Sequence, residues 1–143
     1  MTNEARINSS LSVTKGDYLN YSSKPTAFNA DVAGTKGPVV GSIEASLNGT
    51  DVDFTELTQP ALCRIQNQDS TNFVTVGIWD DAAEIFYPMI ELLPGESFVV
   101  RLSRDLQDEF GTGVVGTAAD TDNRLRIRAD TAAANVLVEA FEV

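Results

Sequence analysis

The 143-residue chain contains no histidine at all. That absence removes both the commonest general base and the commonest metal ligand. There is one cysteine, Cys63, so an internal disulfide and a cysteine-cluster zinc site are excluded. Cys63 lies in the strand-like run Ala61-Leu62-Cys63-Arg64-Ile65, where a buried inert thiol is the expectation. Basic residues are scarce: ten Lys and Arg against 21 Asp and Glu give a formal net charge of −11. Phosphate contacts need clustered cations, so nucleic-acid binding is not expected. No run approaches the roughly 18 apolar residues of a membrane span, and no membrane association is expected. The first ten residues, MTNEARINSS, lack an apolar h-region, so a secretory signal is not expected. The three sequons at Asn8, Asn20 and Asn48 are then expected to be chance. A Walker loop, a dinucleotide fingerprint and a G-x-S-x-G elbow are all missing. The expectation is a non-enzyme with no catalytic residues, no cofactor and no metal.

What is present suits a packed domain. Apolar residues make up 43%, enough for a core, and the length fits one domain. Charge is unevenly spread. Residues 1–40 hold four basic and three acidic groups, whereas residues 41–143 hold six and eighteen. All three lysines fall in the first part. An acidic body favours solubility.

Residues 1–38 are rich in Ser, Thr, Asn, Ala and Gly, without helical period. One short strand is expected around Ile7 to Val13. Gly16 to Pro38 reads as an extended arm with three aromatic anchors, Tyr18, Tyr21 and Phe28: either a floppy terminus or a strap lying on a neighbouring subunit, the spaced aromatics favouring the strap. From Val39 the alternation is clean: Val39, Gly41, Ile43, Ala45 and Leu47 share one face. Asn48-Gly49 is a strong hairpin signal, with Asp51 to Phe54 as the return strand. Ala61 to Gln66 and Phe73 to Trp79 flank the turn Asn67–Asn72. Leu93-Pro94-Gly95-Glu96 reads as a hairpin turn between Glu84–Leu92 and Ser97–Ser103, because Pro presets the first turn position and Gly accepts positive φ. Arg104 to Gly116 holds one weak helical turn at most and is the candidate functional loop. Asn123 to Ala129 and Asn135 to Val143 close the chain around a tight Asp130–Ala134 connection. Eight or nine short strands at this spacing imply an all-β fold, a single antiparallel β-sandwich of jelly-roll-like kind. The arm would span residues 1–38 and the sandwich 39–143. Expected core residues are Ile43, Leu47, Phe54, Leu62, Ile65, Val74, Val76, Ile78, Ile85, Phe86, Ile90, Leu92, Val99, Leu102, Ile127, Val138 and Phe141.

Three groups carry potential chemistry. Asp51-x-Asp53, Asp80-Asp81 and Asp120-x-Asp122-Asn123 offer calcium-type oxygens, but none completes a calcium loop; solvated acidic turns are the default, and a calcium ion at Asp120 and Asp122 is left open. Carboxylate pairs suited to glycoside hydrolysis are uninformative among 21 carboxylates. Arg124, Arg126 and Arg128 alternate with Leu125, Ile127 and Ala129, placing three guanidinium groups on one strand face. Carboxylates must answer them. The plainer source is the last strand, through Glu139 or Glu142. The alternative is the acidic face of an adjacent protomer.

The strings CRIQNQDSTNFVTVGIWD, FYPMIELLPGESFVVRLS and LRIRADTAAANVLVEAFEV, over roughly residues 61–143, resemble β-sandwich modules of tailed-bacteriophage virions. The resemblance lies in an N-x-D/S-x-x-N turn before a V-G strand, an L-x-P-G-E turn, and an I-x-A-D-T-A-A turn before the closing strand. It implies a structural virion protein, made in the host cytoplasm. The favoured role is a capsid decoration (cement) protein that binds the major capsid protein as a homo-oligomer, a trimer by preference. Partner contact would run through Tyr18, Tyr21 and Phe28, and through Arg124, Arg126 and Arg128. A tail, baseplate or fibre-attachment subunit is the alternative in the same setting. A carbohydrate-binding β-sandwich using Trp79 and Tyr87 is the alternative of another class.

Overall fold

Short alternating segments separated by Gly, Asn and Pro turns build strands, twelve of them among the described residues. The computed structural model describes residues 4–34, 37–104, 106 and 123–143. Two compact units are present, Met1–Ala33 and Gly34–Val143.

The first unit is a ribbon. β1 (Ala5–Ser9) pairs antiparallel with β4 (Thr26–Ala30), and β2 (Ser12–Lys15) with β3 (Leu19–Ser22). Gly16 turns the chain at φ +57°. Sequence suggested one strand and an extended arm; the Gly16–Pro38 stretch instead carries the two returning strands. Small polar residues concealed the alternation there.

The second unit stacks two antiparallel sheets as a β-sandwich. One sheet has the order β10 (Ser97–Arg101), β7 (Leu62–Asn67), β12 (Ala134–Phe141), β5 (Val39–Ala45). The other has the order β6 (Thr50–Asp51), β11 (Arg124–Ala129), β8 (Val74–Asp80), β9 (Ile85–Leu92). Alternate residues of each strand meet in the core. Cys63, Ile65, Val136 and Val138 come from the first sheet, and Val74, Val76, Leu125 and Ile127 from the second. Phe54 and Leu57, in the connection after β6, are also fully buried.

Two expected hairpins are crossovers instead. The Asn48-Gly49 turn forms, with Gly49 at φ +99° and its N–H on the Ser46 carbonyl at 3.2 Å. Yet β5 pairs with β12, while β6 is only two residues long and pairs with β11 in the other sheet. Likewise β9 pairs with β8 and β10 with β7, so Leu93–Glu96 arches from sheet to sheet. Its turn chemistry is as read: Gly95 sits at φ +81°, and Glu96 N–H donates to the Leu93 carbonyl at 3.0 Å. Turn type is local, but the pairing partner is decided by which face each strand must bury.

Asn67 anchors that arch. Among the described residues it is the one buried polar side chain, with no exposed surface. Its N–H donates to the Glu96 carbonyl at 2.9 Å and its carbonyl accepts from Gly95 at 3.1 Å. Its side-chain Nδ2 donates to the carbonyls of Asn72 at 2.9 Å and Leu92 at 3.0 Å, and its Oδ1 accepts from Asp69 N–H at 3.0 Å. One side chain thus ties β7, the following turn and the end of β9 together. Asp69 closes the turn by accepting from the N–H groups of Asn72 and Thr71. Those bonds hold its carboxyl below the ordinary carboxylate range.

Five core expectations fail, Phe141 among them: it ends β12 in the outward phase and belongs neither to the core cluster nor to the side chains packed against it. Leu47, at 50% exposure, sits in the turn rather than the strand. Val99 faces out at 46%, while its neighbours Phe98 and Val100 pack against the core. Ile85 is 46% exposed at the start of β9, an edge strand. Phe86 lies on the outer face of the second sheet, paired with Trp79.

Candidate functional site

Two features of the sandwich and one of the ribbon carry most of the potential for interaction. The first is the outer face of the second sheet. Leu125, Ile127 and Ala129 point to the core, so period two sends Arg124, Arg126 and Arg128 outward. In register they lie beside Trp79, Gly77 and Thr75 of β8.

Arginines 124 and 126 are answered within the chain, but not by the last strand. Arg126 Nε contacts Asp51 Oδ1 at 2.5 Å, and its Nη2 reaches Oδ2 at 3.1 Å, a two-pronged grip. Arg124 bonds Asp51 Oδ2 at 3.3 Å and Asp81 Oδ2 at 3.4 Å. The Arg126 guanidinium stacks 3.9 Å from the centre of the Trp79 ring, and Trp79 Nε1 donates to Asp81 Oδ1 at 3.0 Å. The expected partners are elsewhere: Glu139 pairs with Arg64 at 2.6 Å, and Glu142 accepts from Thr58 N–H. The reason is topological. β12 lies in the opposite sheet, and the neighbours of β11 are β6 and β8. Asp51 and Asp81, read as solvated acidic turns, are instead this cluster's anions.

Local sequence explains the placement. Asn48-Gly49 turns the chain so that β6 presents Asp51 beside Arg126. A Cβ on Gly49 would fall 2.6 Å from Arg126 Cδ, so the glycine makes room for the arginine stem. A Cβ on Gly77 would collide with the Tyr87 carbonyl and lie 2.8 Å from the Phe86 ring. Gly77 therefore admits the bulge at which Val76 faces Ile90 and Gly77 faces Pro88, leaving Met89 as the extra residue. Arg128 differs from its companions. It is exposed and lies 5.0 Å from the Phe86 ring, and among the described residues no carboxylate is within ion-pair distance of it.

The second feature is the β9 side. Ile85, Tyr87 and Met89 are 46%, 49% and 59% exposed, a run missed because an apolar strand suggests core. Beside it, between the sheets, lies an apolar cavity of about 170 Å³ lined by Ile65, Val76, Ile90, Phe98 and Val100 among others. Among the described residues its lining is apolar apart from Arg101 and Ser103. Among the described residues no group of three His, Cys, Asp or Glu could hold a metal. Asp120 and Asp122 fall outside the described residues, as does most of the Arg104–Gly116 loop. Cys63 is buried, and desolvation pushes its thiol pKa up to about 12.

The third feature is the ribbon, which carries all three aromatic anchors. Tyr18 stands in the β2–β3 turn at 80% exposure, Tyr21 on β3 at 53% and Phe28 on β4 at 47%. The anchors and the arginine row belong to separate units. Trp79 and Tyr87, the pair suggested for sugar stacking, do not form a platform: Arg126 covers the Trp79 ring. No protein-family model matches the chain, and neither a curated protein nor a solved structure matches it significantly.

Proposed function

We propose that this chain is a structural protein of a tailed-bacteriophage particle, acting as a capsid decoration protein that works by covering and binding without making or breaking bonds. The observation that carries the reading is the ribbon: a segment whose large apolar side chains Val13, Tyr18, Leu19, Tyr21 and Phe28 lie exposed, joined to a body with a buried core of its own. A two-stranded ribbon is marginal alone in water, so this one has a use for a partner surface. Strand order supports the finer fold assignment. Counting β5 to β12 as one to eight, the sheets run 6-3-8-1 and 2-7-4-5, the arrangement of a jelly roll, which recurs in viral capsid proteins and lectins. Fold alone does not assign function. The covered Trp79 ring weighs against the lectin-type reading, and the resemblance of residues 61–143 to virion modules weighs toward the particle. The outer-face arginines of the sandwich are largely satisfied internally, so the anchors Tyr18, Tyr21 and Phe28 are the better partner contacts.

Locating the chain in intact particles tests this. Label on the outer shell is the expected result. Label confined to the tail moves the protein to a tail or baseplate role, and absence from particles refutes the proposal. Deleting residues 1–33 should abolish retention on particles while leaving the sandwich folded.

A further inference from the structure

We infer that the ribbon is the self-association module of this protein, its apolar face covered by the same face of another copy. The inference rests on the assembly reading above and names the partner that the ribbon takes.

The β2–β3 register sorts the side chains into two faces. Val13 lies opposite Tyr21 and Lys15 opposite Leu19; Ser12 lies opposite Ser22 and Thr14 opposite Asn20. Directly paired residues project to the same side. One face is therefore Val13, Leu19 and Tyr21 with a single lysine, and the other is wholly polar, closed by a Ser12–Ser22 hydroxyl contact at 3.2 Å. Val13, Leu19 and Tyr21 are 39%, 44% and 53% exposed. A ribbon this short needs a third strand or a packed face to be stable in water.

Charge selects the occupant. Residues 1–33 carry Arg6, Lys15 and Lys24 against Glu4, Asp17 and Asp31, a balance of zero. The remaining 110 residues carry seven basic and eighteen acidic groups, a net of −11. Two copies meeting body to body face like-charge repulsion. Meeting through their ribbons, they bring together segments whose charges balance overall, with Lys15 the one charge on the apolar face. The contact is apolar and the opposing force is electrostatic, so added salt should strengthen association by screening the bodies. Pairing of the arginine row with an acidic neighbour would weaken in salt instead.

The full-length chain should be weighed by size exclusion with light scattering at low and high salt. The expected result is a multimer whose population rises with salt. Val13→Lys with Tyr21→Lys should give single chains; Ser12→Lys with Ser22→Lys adds equal charge to the polar face and should leave the multimer. Because lysines could unfold the ribbon, a second measurement places single cysteines. Val13→Cys should cross-link between copies with a short bismaleimide, and Thr14→Cys should not; Cys63 is buried and stays silent. Single chains in wild type at both salts, equal disruption by the two lysine pairs, or equal cross-linking at positions 13 and 14 would each overturn the inference. None of these readouts uses particles, so the virion assignment stands or falls separately.

Discussion

Replacing Asn67 with Ala should cost about 3 kcal/mol of folding stability. The side chain makes three hydrogen bonds in the core, two as donor and one as acceptor. A net contribution of about 1 kcal/mol for each gives that figure. The true cost sits toward the upper end, near 4 kcal/mol, if the Leu92 carbonyl stays dry once its donor is gone, since Leu92 is only 3% exposed. Against a typical domain stability of about 10 kcal/mol this is a large fraction. Urea titration followed by Trp79 fluorescence is the assay. With a slope of about 2 kcal/mol per molar, the midpoint should drop by about 1.5 M. Asn67→Asp sharpens the test. It keeps the acceptor for Asp69 N–H but aims a second oxygen at the carbonyls of Asn72 and Leu92. Burial and those carbonyls raise the pKa of the new carboxyl in the folded state above its unfolded value of about 3.9. The folded state then binds the proton more tightly, so the aspartate variant is least impaired at acid pH. Its deficit grows as pH rises from about 4 through the folded-state pKa. A midpoint shift below about 0.3 M for Asn67→Ala, or a deficit of Asn67→Asp that shrinks with rising pH, would refute the claim that this amide ties the arch.

Other outcomes follow from the second sheet and the core. Gly77→Ala should lose about 2 kcal/mol, because the added carbon meets the Tyr87 backbone and the Phe86 ring; an unchanged melting temperature would mean the bulge relaxes freely. Asp51→Asn removes the carboxylate shared by two arginines whose side chains are only 16–21% exposed and should cost about 1–3 kcal/mol. Glu139→Gln breaks the more exposed Arg64 pair and should cost under about 1 kcal/mol; the reverse ranking in thermal melts would contradict the assignment. With its pKa near 12, Cys63 should ignore a thiol reagent at pH 8 until the protein unfolds, and rapid stoichiometric labelling of native protein would count against its burial.

Strand positions were readable because β-branched and apolar residues alternate between recognisable turns: Val39 to Ala45, Leu62 to Asn67 and Val74 to Trp79 fall where period two puts them. The phase of a strand was harder to read. Ser97 to Arg101 has three consecutive apolar residues, so alternation could not say that Phe98 and Val100 face the core and Val99 the solvent. Pairing was harder still. Asn48-Gly49 and Pro94-Gly95 announce turns, but a turn's dihedral angles do not reveal whether the next strand returns beside the last or crosses to the opposite sheet. The arginine face was visible as a face, yet its anions, Asp51 and Asp81, became identifiable only once β6 and β8 were known to flank β11. Asn67 looked like the start of a polar turn. Its role depends on a carbonyl 25 residues away, and no local signal encodes that distance.

The place of β12 bears on how the molecule is made. Ala134 to Phe141 form the last of the sandwich's described strands in chain order, yet they occupy an interior position, hydrogen-bonded to β7 on one side and β5 on the other. Until they emerge, β5 and β7 have no bridge between them and the first sheet has a gap through its middle. Folding of the sandwich therefore waits until β12 has been synthesised, and a nascent chain halted before residue 134 should remain open to proteases and to other unfinished copies on the same message.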